Sequence, residues 1–306
     1  MFLRKVSFVL FCSVLASPLS GQEPASETKT EMKSSSIEVG QSFLFESKVM
    51  KGEREVNVYL PMGYAHKKND KKYPVLYLID GGLEQDFHHI SGLSQLASIN
   101  GDFEELIVVG IKTGVRVTEL TSKPKDPRYI KTLPQSGKSE VFLRHIVDEI
   151  FPMIEEKYRV NDRRAIVGES LAGLFVADVF LKHPETFTDY ICVSPSLWWD
   201  DQALGKSAAE LLKLHKPSSR KLYLTMADEG GTMQAGLDKI VHAIKANKPE
   251  GLTWSYVDRR KSESHSTIYH GAAYDALRKL FGLPKLEYGE LPWYLIEGAE
   301  PPEEDK

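Results

Sequence analysis

The run Ala165-Ile166-Val167-Gly168-Glu169-Ser170-Leu171-Ala172-Gly173-Leu174 decides the reading of this chain. Three apolar residues enter a tight turn, and a second apolar stretch at helical spacing leaves it. A serine at the apex of such a strand–turn–helix is forced into a strained backbone conformation, with its hydroxyl exposed beyond the carboxyl end of a sheet. Strand and helix pass close together there, so the flanking positions must be small. Gly168 and Ala172 meet that need, although Ala172 stands where glycine is more common, and Gly173 follows. The hydroxyl also sits at a helix N-terminus, whose dipole favours developing negative charge. Spacing alone is weak; the strand before and the helix after carry the reading against its plain alternative, Ser170 as an ordinary helix cap.

Outward from this turn, short apolar runs alternate with amphipathic segments. The runs are Pro74 to Ile79, Leu106 to Ile111, Ala165 to Val167, Tyr190 to Val193, Leu222 to Leu224 and Trp254 to Val257. Near-continuous apolar character is expected of parallel strands covered by helices on both faces. Phe142, Ile146, Ile150, Met153 and Ile154 share one helical stripe, as do Leu237, Ile240, Val241 and Ile244, while Ala276, Leu277, Leu280 and Phe281 close a last helix. Ahead of these, Ser42 to Met50 and Glu53 to Leu60 flank Lys51-Gly52 and predict a hairpin. The alternation predicts one α/β domain over 37–284 with a mostly parallel central sheet.

A serine nucleophile needs a base later in the chain on such a sheet. Of nine histidines, His265 follows the last apolar run and a polar loop, Arg259 to Ser264, and directly precedes the final helix. His270 is the second choice, already within that helix. His88 and His89 are adjacent, point apart and lack a third ligand nearby, so they predict no metal site. The orienting acid is expected after the strand Lys221 to Met226, where Asp228 and Glu229 both stand; Glu229 is preferred, with Asp228 as the alternative. The backbone N–H of Leu171 is one expected oxyanion donor, and Gly82, in the Asp80-Gly81-Gly82 loop, is the other.

The ends of the chain differ from its middle. Arg4 and Lys5 precede an apolar run, Val6 to Ala16, and small residues follow at Ser17, Ser20 and Gly21. The run is shorter than the about 18 residues of a membrane span and reads as a signal peptide over 1–21, leaving no membrane span in the mature chain. Residues 22–36 are polar and predict a flexible leader. Residues 285–306 form an extension with an aromatic cluster, Tyr288, Trp293 and Tyr294, and an acidic end expected to be partly disordered. Removal of the signal takes Cys12 and leaves Cys192 alone, in an apolar run, as a buried thiol that cannot form an internal disulfide. A hydrophobic fraction of 42% supports a large core, and a net charge of −4 offers no basic face to nucleic acid.

At this point the chain resembles a family. Tyr59-Leu60-Pro61-Met62-Gly63-Tyr64, Tyr73 to Gly81, Tyr158-Arg159-Val160 before the serine turn, Ser194-Pro195-Ser196-Leu197-Trp198-Trp199, and Ser264-His265-Ser266 leading to Ala276-Leu277-Arg278 are similar to motifs of the esterase D family. The resemblance runs from about Asn57 to Phe281 and implies the α/β-hydrolase fold. The family includes siderophore trilactone esterases, S-formylglutathione hydrolases, feruloyl and acetyl-xylan esterases, and mycolyltransferases. It implies a Ser–His hydrolase acting on esters or thioesters, with no cofactor, and does not fix the substrate; together with the signal peptide this predicts an exported, periplasmic or secreted serine esterase for a small-molecule or carbohydrate ester, such as a siderophore lactone or acylated sugar. Acyl transfer from the same site and a non-catalytic binding role are the alternatives. The resemblance also implies Trp198 and Trp199 near the acyl or alcohol pocket, although two adjacent tryptophans could equally be one core and one rim residue. Glu169 departs from the pattern, because many members carry histidine there.

Overall fold

The computed structural model describes residues 33–66, 68–284 and 292–301. The signal peptide and most of the leader expected from the sequence, and Tyr288 of the aromatic cluster, lie outside the described residues. The compact unit begins at Val39. Its strands are β1 (Gln41–Ser47), β2 (Gly52–Tyr59), β3 (Tyr73–Ile79), β4 (Ile107–Ile111), β5 (Val160–Glu169), β6 (Asp189–Val193), β7 (Arg220–Met226) and β8 (Leu252–Asp258). The helices are α1 (Phe87–Asn100), α2 (Arg116–Glu119), α3 (Pro127–Thr132), α4 (Ser139–His145), α5 (Phe151–Lys157), α6 (Leu171–Lys182), α7 (Trp199–Lys213), α8 (Gly231–Ala246) and α9 (Ile268–Phe281).

The strands form one sheet in the order β1-β2-β4-β3-β5-β6-β7-β8. β1 pairs antiparallel with β2, and β2 with β4; every other neighbour is parallel. The expected hairpin is present, but β1 ends at Ser47, so its turn spans four residues rather than two. Lys51 takes a left-handed φ of 60° and donates its N–H to the Ser47 carbonyl at 2.9 Å.

The apolar runs became strands because both faces of the sheet are covered. Along β3, Tyr73, Val75, Tyr77 and Ile79 enter one core cluster, while Leu76 and Leu78 enter the other, following the two-residue period of a pleated strand. α1 and α9 cover one face with Phe87, Ile90, Ala272 and Leu277. The other face carries Phe142, Phe175, Phe180, Leu204 and Ile240 from α4, α6, α7 and α8. Full burial of such side chains contributes about 1.5–3 kcal/mol each. Cys192 is fully buried within this core, and burial raises its thiol pKa.

The expected stripe from Phe142 to Ile154 does not lie on one regular helix. Between α4 and α5, Ile146–Ile150 is wound as a π-helix, and the Phe151 N–H reaches back five residues to the Ile146 carbonyl. Pro152 follows at once; it has no N–H to give and its ring would crowd the preceding turn, so the helix widens ahead of it. Among the described residues no helix is long and apolar enough to cross a membrane. Trp293 and Tyr294, in a short 3₁₀ turn (Trp293–Leu295), are exposed.

The sheet order reverses direction at β3. The chain steps from β3 to β4 on one side, then returns to β5 on the other. A crevice beyond the carboxyl ends of strands at such a switch point is where open α/β sheets bind ligands. The loops after β3 and β5 open into it.

Candidate active site

The turn after β5 takes the shape that its sequence predicts. Ser170 has φ 60° and ψ −118°, a conformation that costs an L-residue about 1–3 kcal/mol. The surroundings fix it there. Its N–H donates to the Val193 carbonyl at 3.0 Å, and its own carbonyl accepts from Leu174 at 2.9 Å and Ser196 at 3.0 Å. Gly168 is required by the close pass of strand and helix: a Cβ there would lie 2.6 Å from the Ala172 carbonyl carbon. Leu171 is the first residue of α6, so its N–H belongs to the donors that a helix start leaves without an intrahelical acceptor.

His265 lies in the loop between β8 and α9, and Glu229 directly before Gly230 and α8. The imidazole Nδ1–H donates to Glu229 Oε1 at 2.7 Å. The two differ in exposure, His265 at 44% and Glu229 at 8% for their side chains. Asp228 is exposed; it takes part through its backbone, whose N–H donates to the Glu263 carbonyl at 3.0 Å and ties the two loops together. The geometry thus joins Glu229, and not Asp228, to the imidazole.

Ser170, His265 and Glu229 all follow carboxyl ends of parallel strands. The hydrogen-bond partner of Ser170 Oγ among the described residues is Ser196 Oγ, at 3.3 Å, rather than the imidazole. Catalytic hydrogen bonds are commonly loose before substrate binds, so this arrangement is compatible with a serine–histidine pair. Ser196 escaped the reading of residue types; its signal was present only as part of the Ser194 to Trp199 motif.

The loop after β3 differs from expectation in one respect. Gly82, expected as the second oxyanion donor, has its N–H turned to Gln85 Oε1 at 2.9 Å. Gln85 in turn donates to the carbonyl and hydroxyl of Thr113, each at 3.1 Å, which pins the loop to the segment after β4. The neighbouring Gly81 is demanded by contact: a Cβ there would lie 2.2 Å from Gly110 Cα. Asp80, buried and with φ 61°, accepts from Thr113 Oγ1 and from Arg116 Nε at 2.9 Å.

The two tryptophans divide between core and rim. Trp199 is 3% exposed, and its indole N–H donates to the Ser122 carbonyl at 3.0 Å, which makes it the core member of the pair. Trp198 is half-buried and stacks on Tyr129, with ring centroids 6.2 Å apart. Asp200, Asp201 and Gln202, which follow, all have left-handed φ, from 47° to 62°. The turn aims the Asp200 carboxylate at the N–H groups of Lys125 and Asp126, 2.7–2.9 Å away. Trp199 and Asp200 together hold the segment between α2 and α3 against the domain.

Glu169, adjacent to Ser170, is the most perturbed carboxyl near the site. Burial raises its pKa to about 7; Asp86 and Glu229 push the same way, while His265 and Arg116 oppose them. Among the described residues no group of three or more His, Cys, Asp and Glu side chains is arranged to hold a metal ion. His88 is exposed on α1, and the half-buried His89 stacks on His270 at 4.8 Å.

An eight-stranded, mostly parallel sheet with a strained serine on its central strand–helix turn defines an α/β hydrolase. The chain belongs to the Putative esterase family, whose model matches residues 47–273, and it is accordingly an esterase-type hydrolase. It is 26% identical over 200 residues to the uncharacterized protein YbbA of Bacillus subtilis, which covers 64% of this chain and 76% of that one. It is 35% identical over 95 residues to the ferri-bacillibactin esterase BesA of Bacillus subtilis, covering 31% of this chain and 33% of that protein. Its structure is similar to an IroE-like serine hydrolase from Shewanella oneidensis, with a TM-score of 0.70, 27% identity, and 79% and 80% of the two chains covered.

Proposed function

We propose that the protein is an exported serine esterase in which Ser170 is the nucleophile, His265 the general base and Glu229 the acid that orients it. The observation that carries this reading is Ser170 in a strained turn at the same sheet end as the His265–Glu229 pair. Ser170 Oγ attacks the ester carbonyl as His265 takes its proton. The carbon–oxygen bond to the alcohol then breaks, and the departing oxygen receives that proton from the imidazolium. Water repeats the attack on the acyl-serine and returns Oγ to its starting state. The Leu171 N–H holds the oxyanion. The Gly82 N–H joins it when the substrate oxygen displaces the Gln85 amide oxygen. Every step uses side chains and backbone alone, so this chemistry calls for no cofactor.

The N-terminal run Val6 to Ala16 behind Arg4 and Lys5 supports export to the periplasm or medium. The substrate is a small-molecule carboxylic ester. A siderophore lactone, by likeness to BesA, and an acylated sugar are the first two classes to screen. The test is labelling with a fluorophosphonate. Wild type should be labelled at Ser170 and lose esterase turnover, and Ser170→Ala should be neither labelled nor active. Labelling at another residue, or none at all in a folded wild type, rules the reading out.

A further inference from the structure

A cavity of about 370 Å³ opens beside the serine turn. Asp86 and His89 reach it from the start of α1, Glu169 from the end of β5, His265 from the loop before α9, and Tyr269 and His270 from α9 itself. The imidazole that returns a proton to the departing alcohol is part of its wall. In serine–histidine chemistry the alcohol therefore leaves on this side, while the acyl group stays on the serine.

The wall is rich in acceptors and carries no lysine or arginine among the described residues that line it. Tyr269 is 7% exposed, and its hydroxyl has no hydrogen-bond partner among the described residues. His89 Nε2 is likewise enclosed and unpartnered, 3.7 Å separating its other nitrogen from Asp86 Oδ1. Polar groups enclosed without partners are costly and point to a missing ligand. Asp86 and Glu169 both act on the Tyr269 hydroxyl, which places it in a field of negative charge. Arg116 is near enough to act on Glu169 and Tyr269, but its guanidinium is tied to Asp80 at 2.8 Å.

We propose that this cavity receives the alcohol half of the ester and that this half carries a protonated amine. The inference rests on the serine-esterase reading and adds the substrate's charge to it. Asp86 and Glu169 supply the opposing charge, and the unpartnered Tyr269 hydroxyl and His89 Nε2 lie enclosed in the wall beside them. The titratable and charged groups that face Glu169 are Asp86 from the start of α1, His265 and Glu229 from the two loops, Tyr269, His270 and His89 across the cavity, and Arg116 with its partner Asp80. A bound ammonium favours the ionised form of Glu169.

The test compares three acetates on the full chain: dimethylaminoethyl acetate, its uncharged isostere isoamyl acetate, and glyceryl monoacetate. The expected kcat/KM favours the amine over the isostere by about fivefold, the scale of a partly solvated ion pair. The preference should shrink toward parity in Asp86→Asn and Glu169→Gln. A second readout covers variants or substrates with slow turnover: dimethylaminoethanol should slow fluorophosphonate labelling of Ser170 more than isoamyl alcohol does, and lose that advantage in Glu169→Gln. If the uncharged or the polyol ester is turned over as fast as the amine, or the two alcohols protect equally, the inference falls and the serine-esterase reading stands. If Ser170 is never labelled, the earlier reading falls and takes this one with it.

Discussion

The backbone around Ser170 and the backbone around His265 hold their residues by different means. Ser170 is set by main-chain bonds to three neighbours and by a strand and helix that are buried on both sides. His265 stands in an exposed loop tied by local bonds, such as the Ser264 N–H to Thr267 Oγ1 at 3.0 Å, and by a single side-chain bond to Glu229. The proposed nucleophile is placed by the core, and the proposed base is placed by the carboxylate it bonds. A rigid half and an adjustable half then lie at one end of the sheet, which suits the proposed serine–histidine pair, whose contact would close on substrate.

The sharpest way to break that contrast is to relax the rigid half. Ser170→Gly removes the nucleophile and the strain together. Turnover should fall by on the order of 10⁶, the cost of losing a triad nucleophile. Thermal stability should rise, because glycine tolerates the left-handed φ; relief of about 1 kcal/mol corresponds to about 2–4 °C in Tm for a domain of this size. A lower Tm for the glycine variant would refute the strained elbow.

The adjustable half is tested by its acid. Glu229→Gln should lower kcat by on the order of 10³–10⁴, the effect of losing the carboxylate that orients and charges the imidazole. Asp228→Asn should stay within about twofold of wild type, since an exposed loop charge contributes little. Steady-state kinetics on one ester settle the comparison, and the reverse pattern would hand the role to Asp228.

The same contrast governs what could be read from the chain alone. The elbow is legible because its demands are local: Gly168 and Ala172 must be small, and the apolar runs before and after announce strand and helix. His265 is legible by position, one loop after the last strand. Glu229 against Asp228 is not, because adjacent residues in a loop containing Gly230 and Gly231 differ only in the direction a folded backbone gives them. Trp198 and Trp199 are open to either assignment for a related reason: adjacent aromatics offer one core and one rim residue, and which is which follows only from the left-handed turn that starts α7. Gly82 could be recognised as a turn glycine, but the claim of Gln85 on its N–H is a tertiary contact with no sequence signature. Likewise, the Phe142 to Ile154 stripe carries the correct period, and only Pro152 hints that the helix must widen.

Trp199 offers a middle-sized test on the rigid side. Trp199→Phe keeps an aromatic in the core and removes the indole N–H that holds the Ser122 carbonyl. A lost hydrogen bond whose acceptor, on the half-buried Ser122, stays partly open to water costs about 1 kcal/mol. Chemical denaturation should show that loss, while labelling of Ser170 by a fluorophosphonate persists. Loss of labelling with unchanged stability would return Trp199 to the substrate pocket.

Glu169 gives the smallest effect and sits where the two halves meet. Its carboxyl pKa is raised from 4.5 to about 7 in the folded chain. Between those two values the folded protein keeps a proton that the unfolded chain has released, so stability must fall as pH rises through that window and level off on either side. A full shift of this kind carries 1.36 kcal/mol per unit, but the group is partly open to solvent, and screening reduces the expected total to about 1 kcal/mol. Glu169→Gln has no proton to release. Its stability relative to wild type should therefore be constant below about pH 4.5 and grow by about 1 kcal/mol toward pH 7. Denaturant midpoints measured across that range decide it. Parallel profiles would mean that Glu169 is solvated like an ordinary surface acid, and that the elbow's buried environment stops at Ser170 instead of reaching the wall it shares with His265.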